Sequence, residues 1–197
     1  MAPERKILIC GAGIAGAACA WWLHRYGYEV VVAEKAPALR DGGQNVDIKG
    51  AGQTVIERMG LGPRIDALGT RERGQKFLDA DGQVIATLPR GAFGCLTADY
   101  EILRGDLASV LFDATREDCD YRFATAVAAL DDTPDGIHAT FTDGRAETFG
   151  AVICAEGIGS ATRGMMLGAE ISFRHLGAQM AFFRIPASSV CSTRAVA

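Results

Sequence analysis

A glycine-rich segment near the start of the chain constrains the fold more than any other feature. The apolar run at residues 7–10 leads directly into the sequence GAGIAG at residues 11–16, and a helix-like stretch follows. A second apolar run, residues 30–33, then ends at the acidic residue Glu34. This order of strand, glycine turn, helix and strand predicts a βαβ unit with a parallel sheet.

Each residue of the turn has a separate physical role in such a unit. Gly11 permits the tight turn, Gly13 lets the backbone approach a pyrophosphate because it has no Cβ, and Gly16 lets the helix pack close to the strands. The helix N-terminus, which includes Ile14 and Ala15, directs unpaired amides and the positive end of its dipole at the phosphates. The turn therefore predicts a phosphate-binding site.

The acidic residue at the end of the second strand supports the same interpretation. Glu34 lies roughly 20 residues beyond the turn, where a carboxylate can accept hydrogen bonds from both ribose hydroxyls. A glycine triplet alone would be weak evidence in a chain with 24 Gly, but here strand, helix and acidic residue agree. We expect an adenosine diphosphate moiety as the ligand, and the alternative is a purely structural turn.

Composition limits the classes of partner. The chain has 197 residues, of which 49% are hydrophobic, and this is ample for a packed globular core. Its net charge of −4 comes from residues spread along the chain, with no basic cluster, so we expect no nucleic-acid partner. No apolar stretch approaches the roughly 20 residues that span a bilayer, and we expect a soluble, cytoplasmic protein without membrane association.

Cysteine and histidine residues are scattered, and their spacing does not suit zinc or a nucleophile–base pair. We expect reduced core cysteines and no metal site. The cysteines are Cys10, Cys19, Cys95, Cys119, Cys154 and Cys191, and the histidines are His24, His138 and His175.

Downstream patterns depart from a simple doubly wound fold. Residues 75–88 predict a hairpin with an Asp-Gly turn, which indicates a second, antiparallel sheet. Residues 127–130, 136–142 and 147–153 predict a β-meander, after which the chain returns to the main sheet at residues 152–154. Further predicted elements are helices at 14–26, 53–59 and 105–115 and strands at 46–48, 121–123 and 182–186.

Another glycine-rich turn follows the returning strand. Residues 155–163, AEGIGSATR, combine glycines at a strand end with Ser160 and Thr162, which can cap a helix. Amides of such a turn can face an anion. An ordinary capped loop is the alternative for this segment.

Four segments together resemble the FAD-dependent aromatic hydroxylases of the single-component flavoprotein monooxygenase family, most closely its polyketide hydroxylases and tetracycline-inactivating monooxygenases. The resemblance extends over residues 6–186. The segments are GAGIAG with Glu34, RDGGQNVDIK at 40–49 followed by IERMGL, ILRGDLASVL at 102–111, and CAEGIGSATR at 154–163.

The resemblance implies an α/β fold with a Rossmann-like FAD-binding parallel sheet, an inserted antiparallel β-meander and part of an antiparallel substrate domain. It implies an FAD-binding domain at residues 1–72 and 97–167. Residues 73–96 and 168–197 would belong to the partial substrate domain.

Cofactor-binding roles follow from the same resemblance. The first turn would bind the FAD pyrophosphate, Glu34 and Lys35 would lie at the adenosine ribose, and Arg40 would lie near the flavin. Arg104 would reach the FAD phosphates or ribityl chain, and the backbone of Val127 would meet the adenine. The full predicted set is Gly11, Gly13, Ile14, Ala15, Gly16, Glu34, Lys35, Arg40, Arg104, Val127, Glu156 and Gly157.

Two departures from the family pattern stand out. The second fingerprint has Glu156–Gly157 where the family has Asp-Gly, which changes the reach of the carboxylate. A third fingerprint, a Gly-Asp segment that holds the ribityl chain in the family, is absent, so the chain resembles an N-terminal half. We therefore expect exposed apolar surface, and a homodimer or a complementary second chain.

The resemblance implies an FAD-dependent monooxygenase, in which NADPH or NADH reduces FAD and dioxygen then hydroxylates an aromatic or polyketide-type small molecule. The cofactor carries the chemistry, so no catalytic acid or base is assigned. Two alternatives stay open. One is a different FAD-dependent oxidoreductase or a nicotinamide dehydrogenase, and the other is a non-catalytic accessory half-protein that needs a partner chain.

Overall fold

The computed structural model describes residues 3–92, 98–177 and 179. Its contacts divide the chain into two compact units. The first unit contains residues 1–41 and 107–178, and the second is built around residues 42–106. One helix, Arg104–Asp113, begins in the second unit and continues into the first.

The first unit contains a four-stranded parallel sheet and a three-stranded antiparallel meander. Its elements are β1 (Lys6–Cys10), α1 (Ile14–Arg25), β2 (Glu29–Ala33), the rest of α4 (Arg104–Asp113), β7 (Asp120–Arg122), β8 (Val127–Thr133), β9 (Gly136–Phe141), β10 (Ala146–Phe149), β11 (Ala151–Cys154) and α5 (Ala161–Leu167).

Strand order in the parallel sheet is β11-β1-β2-β7, which places β1 at the centre. After their first residues, Lys6 and Glu29, strands β1 and β2 are continuous apolar runs, because a parallel strand is covered on both faces. Leu8 and Cys10 pack on one face with Phe141 and Phe149 of the meander. The opposite face carries Ile7 and other side chains that pack with α1.

The second unit contains two antiparallel pairs and two short helices. Its elements are β3 (Asn45–Ile48), α2 (Ala51–Arg58), α3 (Gly62–Ala67), β4 (Gly74–Leu78), β5 (Val84–Pro89) and β6 (Tyr100–Leu103). Strand β3 pairs with β6. Strands β4 and β5 form the predicted hairpin, whose turn includes Gly82 at a φ of +77°.

The predicted fold class is confirmed, with two corrections in detail. Residues 147–153 form two strands rather than one, because the chain leaves the meander at Gly150 and enters the parallel sheet at Ala151. Helix α3 was not predicted, because the sequence patterns give no helix between residues 59 and 105. Its Pro63 occupies the first turn of a helix, where a missing N–H costs nothing.

Some of the sequence predictions stay predictions. Cys95, Cys191 and the predicted strand at 182–186 lie outside the described residues. The boundaries of the two compact units differ from those of the predicted domains. The division into an FAD-binding domain and a substrate domain stays a prediction.

Candidate functional site

Two close backbone approaches shape the turn after β1. Gly11 has a φ of +105°, and a Cβ there would lie 2.7 Å from the carbonyl oxygen of Ala155. A Cβ on Gly16 would lie 1.9 Å from the carbonyl oxygen of Gly11. Glycine at both positions therefore lets the turn contact the end of β11 and lets α1 start against the turn.

Helix α1 presents its N-terminus at this turn. Gly13 is the N-cap residue with extended backbone, and its carbonyl accepts the first helical hydrogen bond from the Ala17 amide at 2.9 Å. The amides of residues 14–16 precede that bond and have no acceptor within the helix. With the helix dipole they form an electropositive end suited to phosphate.

The Glu34 carboxylate is held beside the turn by backbone donors. The Ala12 amide donates to Oε2 at 2.9 Å, and the Ala36 amide donates to Oε1 at 2.9 Å. The backbone of Glu34 is fixed as well, since its amide donates to the carbonyl of Arg122 at 2.9 Å. The side chain is thus oriented before any ligand arrives.

A cavity that opens to solvent lies between these elements in the first unit. It brings together six of the predicted residues, which are Gly11, Glu34, Lys35, Arg40, Val127 and Glu156. Four further lining residues were missed, namely Cys10, Ala33, Thr125 and Ala126. Each of these four adjoins a predicted residue or another lining residue in the sequence, and adjacency is the signal that could have identified them.

The other predicted residues lie outside the lining of this cavity. Gly13, Ile14, Ala15 and Gly16 form the start of α1, as the turn pattern predicts. Gly157 has a φ of +78°, and a Cβ added there would meet no atom within 4 Å. Its backbone conformation favours glycine on its own account.

Arg104 belongs to the second unit, where it begins α4. Its amide donates to the carbonyl of Gln44 at 3.0 Å, and Gly43 packs against its side chain, since a Cβ on Gly43 would lie 2.9 Å from Cδ of Arg104. These contacts fix the start of the helix. The role of Arg104 toward the cofactor stays a prediction from the resemblance.

Charges of both signs surround the cavity. Lys35 and Arg40 supply cations, and Glu34 and Glu156 supply carboxylates. Burial raises the pKa of the Cys10 thiol to about 12, so this lining residue is an uncharged thiol at neutral pH. The cavity can therefore bind an anion through its cations and amides and a hydroxylated sugar through Glu34.

Glu156 makes two hydrogen bonds within the turn that follows β11. Its Oε2 accepts hydrogen bonds from the Ser160 hydroxyl and from the Thr162 amide, the latter at 3.1 Å. Ser160 Oγ in turn accepts the Arg163 amide at 3.0 Å and caps α5. The longer carboxylate at this position therefore links the end of the strand to the start of the helix.

Two kinds of feature are missing from the described residues. No group of three or more His, Cys, Asp or Glu side chains is arranged to hold a metal ion in the part of the chain that the structure describes. Within those same residues, no helix is both long and apolar enough to cross a membrane.

Comparison with known sequences gives consistent matches. The family model described as "FAD binding domain" matches residues 4–189. The FAD-dependent monooxygenase asL4 of Sarocladium schorii is 39% identical over 195 residues, which cover 94% of this chain and 45% of that protein. A flavin-dependent monooxygenase of Legionella longbeachae is 37% identical, with 94% of this chain and 48% of the relative covered. The chain thus spans about half the length of these relatives.

Solved structures agree with the sequence matches. The tetracycline destructase Tet(55) superposes with a TM-score of 0.75 at 31% identity, covering 86% of this chain and 43% of that one. CtdE in complex with FAD superposes with a TM-score of 0.70 at 25% identity, covering 81% of this chain and 39% of that one. The resemblance inferred from the sequence is confirmed. The chain belongs to the FAD binding domain family.

Proposed function

We propose that this chain provides the FAD-binding part of an FAD-dependent monooxygenase and that the cavity in the first unit holds the adenosine diphosphate portion of FAD. One observation carries the proposal. The Glu34 carboxylate is oriented by the Ala12 and Ala36 amides at the cavity lined by Gly11, where a ribose would have to lie.

The residues of the turn fit a dinucleotide. Close approach at Gly11 and Gly16 leaves no room for a side chain, so the backbone itself faces the ligand. The amides of residues 14–16 would bind the pyrophosphate, and Lys35 and Arg40 would add charge-assisted contacts. Val127 lies in the lining, where its backbone would meet the adenine.

FAD, when bound, would supply the redox chemistry, and the protein would supply position and charge. As parts of the same proposal, NADPH or NADH acts as reductant, and the substrate is an aromatic or polyketide-type molecule. The similarity to tetracycline destructases favours a polycyclic phenol as the first substrate class to test. The cofactor contacts of Arg104, Glu156 and Gly157 also belong to this proposal.

A homodimer or a complementary second chain is proposed as well. Apolar side chains are exposed near the end of the described residues, with Ile158 at 81% and Phe173 at 70% of their full accessible area. Exposed apolar surface is typical of an interaction site when such side chains lie together. Light scattering on the purified chain at micromolar concentration tests this part, and a monodisperse monomer contradicts it.

The decisive test of the proposed function is a titration of the purified chain with FAD, followed by flavin fluorescence and absorbance, with ADP as competitor. We expect saturable FAD binding that ADP displaces, because ADP carries the pyrophosphate and ribose contacts. Absence of binding for both ligands would refute the proposal. NADPH oxidation stimulated by a polycyclic phenol then tests turnover, and FAD binding without NADPH consumption would favour the accessory role.

A further inference from the structure

The carboxyl ends of β1 and β11 carry Cys10 and Cys154, and Met166 of α5 contacts the second of these residues. The two strands are parallel neighbours, and Cys10 is the register partner of Cys154. Cys10 and Val152 pack on the same face of the sheet, and Cys154, two residues beyond Val152, shares that face because side chains alternate. The Cys154 thiol also contacts the Met166 thioether of α5, with Sγ and Sδ 3.2 Å apart.

Cys10 and Cys154 are both free thiols. A metal ion bonded to two thiolates, with metal–sulfur distances of about 2.3 Å as for zinc, spans up to about 4.6 Å between sulfurs. Adjacent strands lie about 4.7–4.9 Å apart, so two cysteines in register on parallel strands can both reach one bridging ion.

We propose that Cys10, Cys154 and Met166 form a binding site for a soft monovalent cation, Cu⁺, for which Ag⁺ is a redox-inert probe. Two thiolates and a thioether are the ligand types that select Cu⁺ over harder cations. Binding replaces the thiol protons, which leave to solvent, and changes no oxidation state. This donor set includes a methionine and differs from the carboxylate, imidazole and thiolate clusters that are absent from the described residues.

The residues around the three sulfur atoms determine how a cation reaches them and which charges it meets. Met166 is about half exposed, at 49% of its full accessible area, so an ion can reach the sulfurs from solvent. Burial raises the pKa of both thiols and Glu156 adds to this effect, whereas Arg163 acts in the opposite direction at Cys154, so a bound cation must displace the thiol protons. Methionine adapts its side-chain rotamer readily, so its thioether can move to admit the ion.

Occupancy of this site has a consequence for the cavity. Cys10 lines the cavity and immediately precedes Gly11, so an ion that cross-links the ends of β1 and β11 would alter the turn. This second step rests on the proposed function. We expect Ag⁺ to weaken FAD binding in the wild-type chain.

The experiment is a calorimetric titration of the full chain with Ag⁺ under anaerobic conditions, comparing wild type with Cys10→Ala, Cys154→Ala, Met166→Leu and Cys119→Ala. Cys119 is the matched control, because it is a buried thiol whose pKa burial raises to about 11. We expect the tightest Ag⁺ site to disappear in Cys10→Ala and Cys154→Ala, to weaken several-fold in Met166→Leu, and to persist in Cys119→Ala. The remaining cysteines contribute the same background to all four variants.

Unchanged tight binding in Cys10→Ala and Met166→Leu would overturn the proposal, and so would its loss in Cys119→Ala. Met166→Leu keeps the volume of an exposed side chain, so it tests the site even where the cysteine variants fold poorly. Ag⁺ binding is measured without FAD. A chain that binds Ag⁺ at this site and binds no FAD would therefore refute the proposed function alone.

Discussion

Replacing Gly16 by alanine is the sharpest test of the turn geometry. The added Cβ would lie 1.9 Å from the carbonyl oxygen of Gly11 and 3.3 Å from Cγ2 of Ile9. The first of these neighbours is backbone and cannot rotate away. Relief to a tolerable contact of 3.0 Å requires α1 to move by about 1 Å from the turn.

That displacement has two measurable costs. Overpacking of this kind destabilises a protein by about 1–3 kcal/mol, which for a chain of this size lowers Tm by roughly 2–12 °C. It also moves the amides at the start of α1, and loss of one hydrogen bond to a charged phosphate costs about 1.5–3 kcal/mol. The dissociation constant for FAD should therefore rise roughly 10- to 100-fold.

Gly164→Ala is the matched control for this substitution. Gly164 lies inside α5, and no atom lies within 4 Å of its would-be Cβ. Alanine there should stabilise the helix by about 0.5–1 kcal/mol and leave FAD binding unchanged. Thermal unfolding and FAD titration of both variants provide the comparison. A Gly16→Ala chain with wild-type Tm and wild-type FAD affinity would refute the close approach of α1 to the turn.

Two further predictions concern carboxylates. Glu34→Gln should weaken FAD binding roughly tenfold, because only one of the two polar atoms of the new amide can accept hydrogen bonds, and it cannot serve both backbone donors and the ribose. FAD titration measures this effect, and Glu117→Gln, at an exposed position, should leave the affinity unchanged. Glu147 pairs with Lys6 at 3.0 Å and with Arg122 at 2.8 Å, so Glu147→Gln should lower the free energy of unfolding in urea by about 1–2 kcal/mol. Although burial acts in the opposite direction, hydrogen bonds from Arg122 and Lys6 hold the pKa of Glu147 below its ordinary value of 4.5. The stabilisation by the Glu147 carboxylate is therefore fully present above about pH 4.5 and is lost as the pH falls through the lowered pKa. If wild type and Glu147→Gln differ in free energy of unfolding by the same amount at pH 7 and at pH 2, this reasoning is wrong.

The βαβ unit could be predicted from the sequence alone, because every signal for it lies within one short segment. The apolar runs of β1 and β2, the glycine turn and Glu34 are all within the first 34 residues. Backbone sterics at Gly11 and Gly16 then leave few alternatives to the observed turn. For the same reason, the predicted hairpin with its Asp-Gly turn was confirmed.

Residues brought to the site by distant segments were harder to predict. Thr125 and Ala126 line the cavity because β7 pairs with β2 and returns the chain beside Glu34, whose carbonyl accepts the Thr125 amide at 3.0 Å. The sequence around Thr125 does not reveal this strand pairing, and adjacency to the predicted Val127 is the one local signal for these two residues. Likewise, the break between β10 and β11 depends on Gly150, whose amide donates to the carbonyl of Lys6 at 2.8 Å.

The turn after β11 shows why a single substitution in a motif has effects beyond its own side chain. The sequence alone suggests that Glu156 changes the reach of a carboxylate toward the cofactor. In the structure, one oxygen of that carboxylate bridges to Ser160 and to the Thr162 amide. A Cβ on Gly11 would also lie 3.1 Å from Cα of Glu156. Because the two turns are in backbone contact, a change in how Glu156 holds the second turn would be transmitted to the first turn, where phosphate binding is proposed.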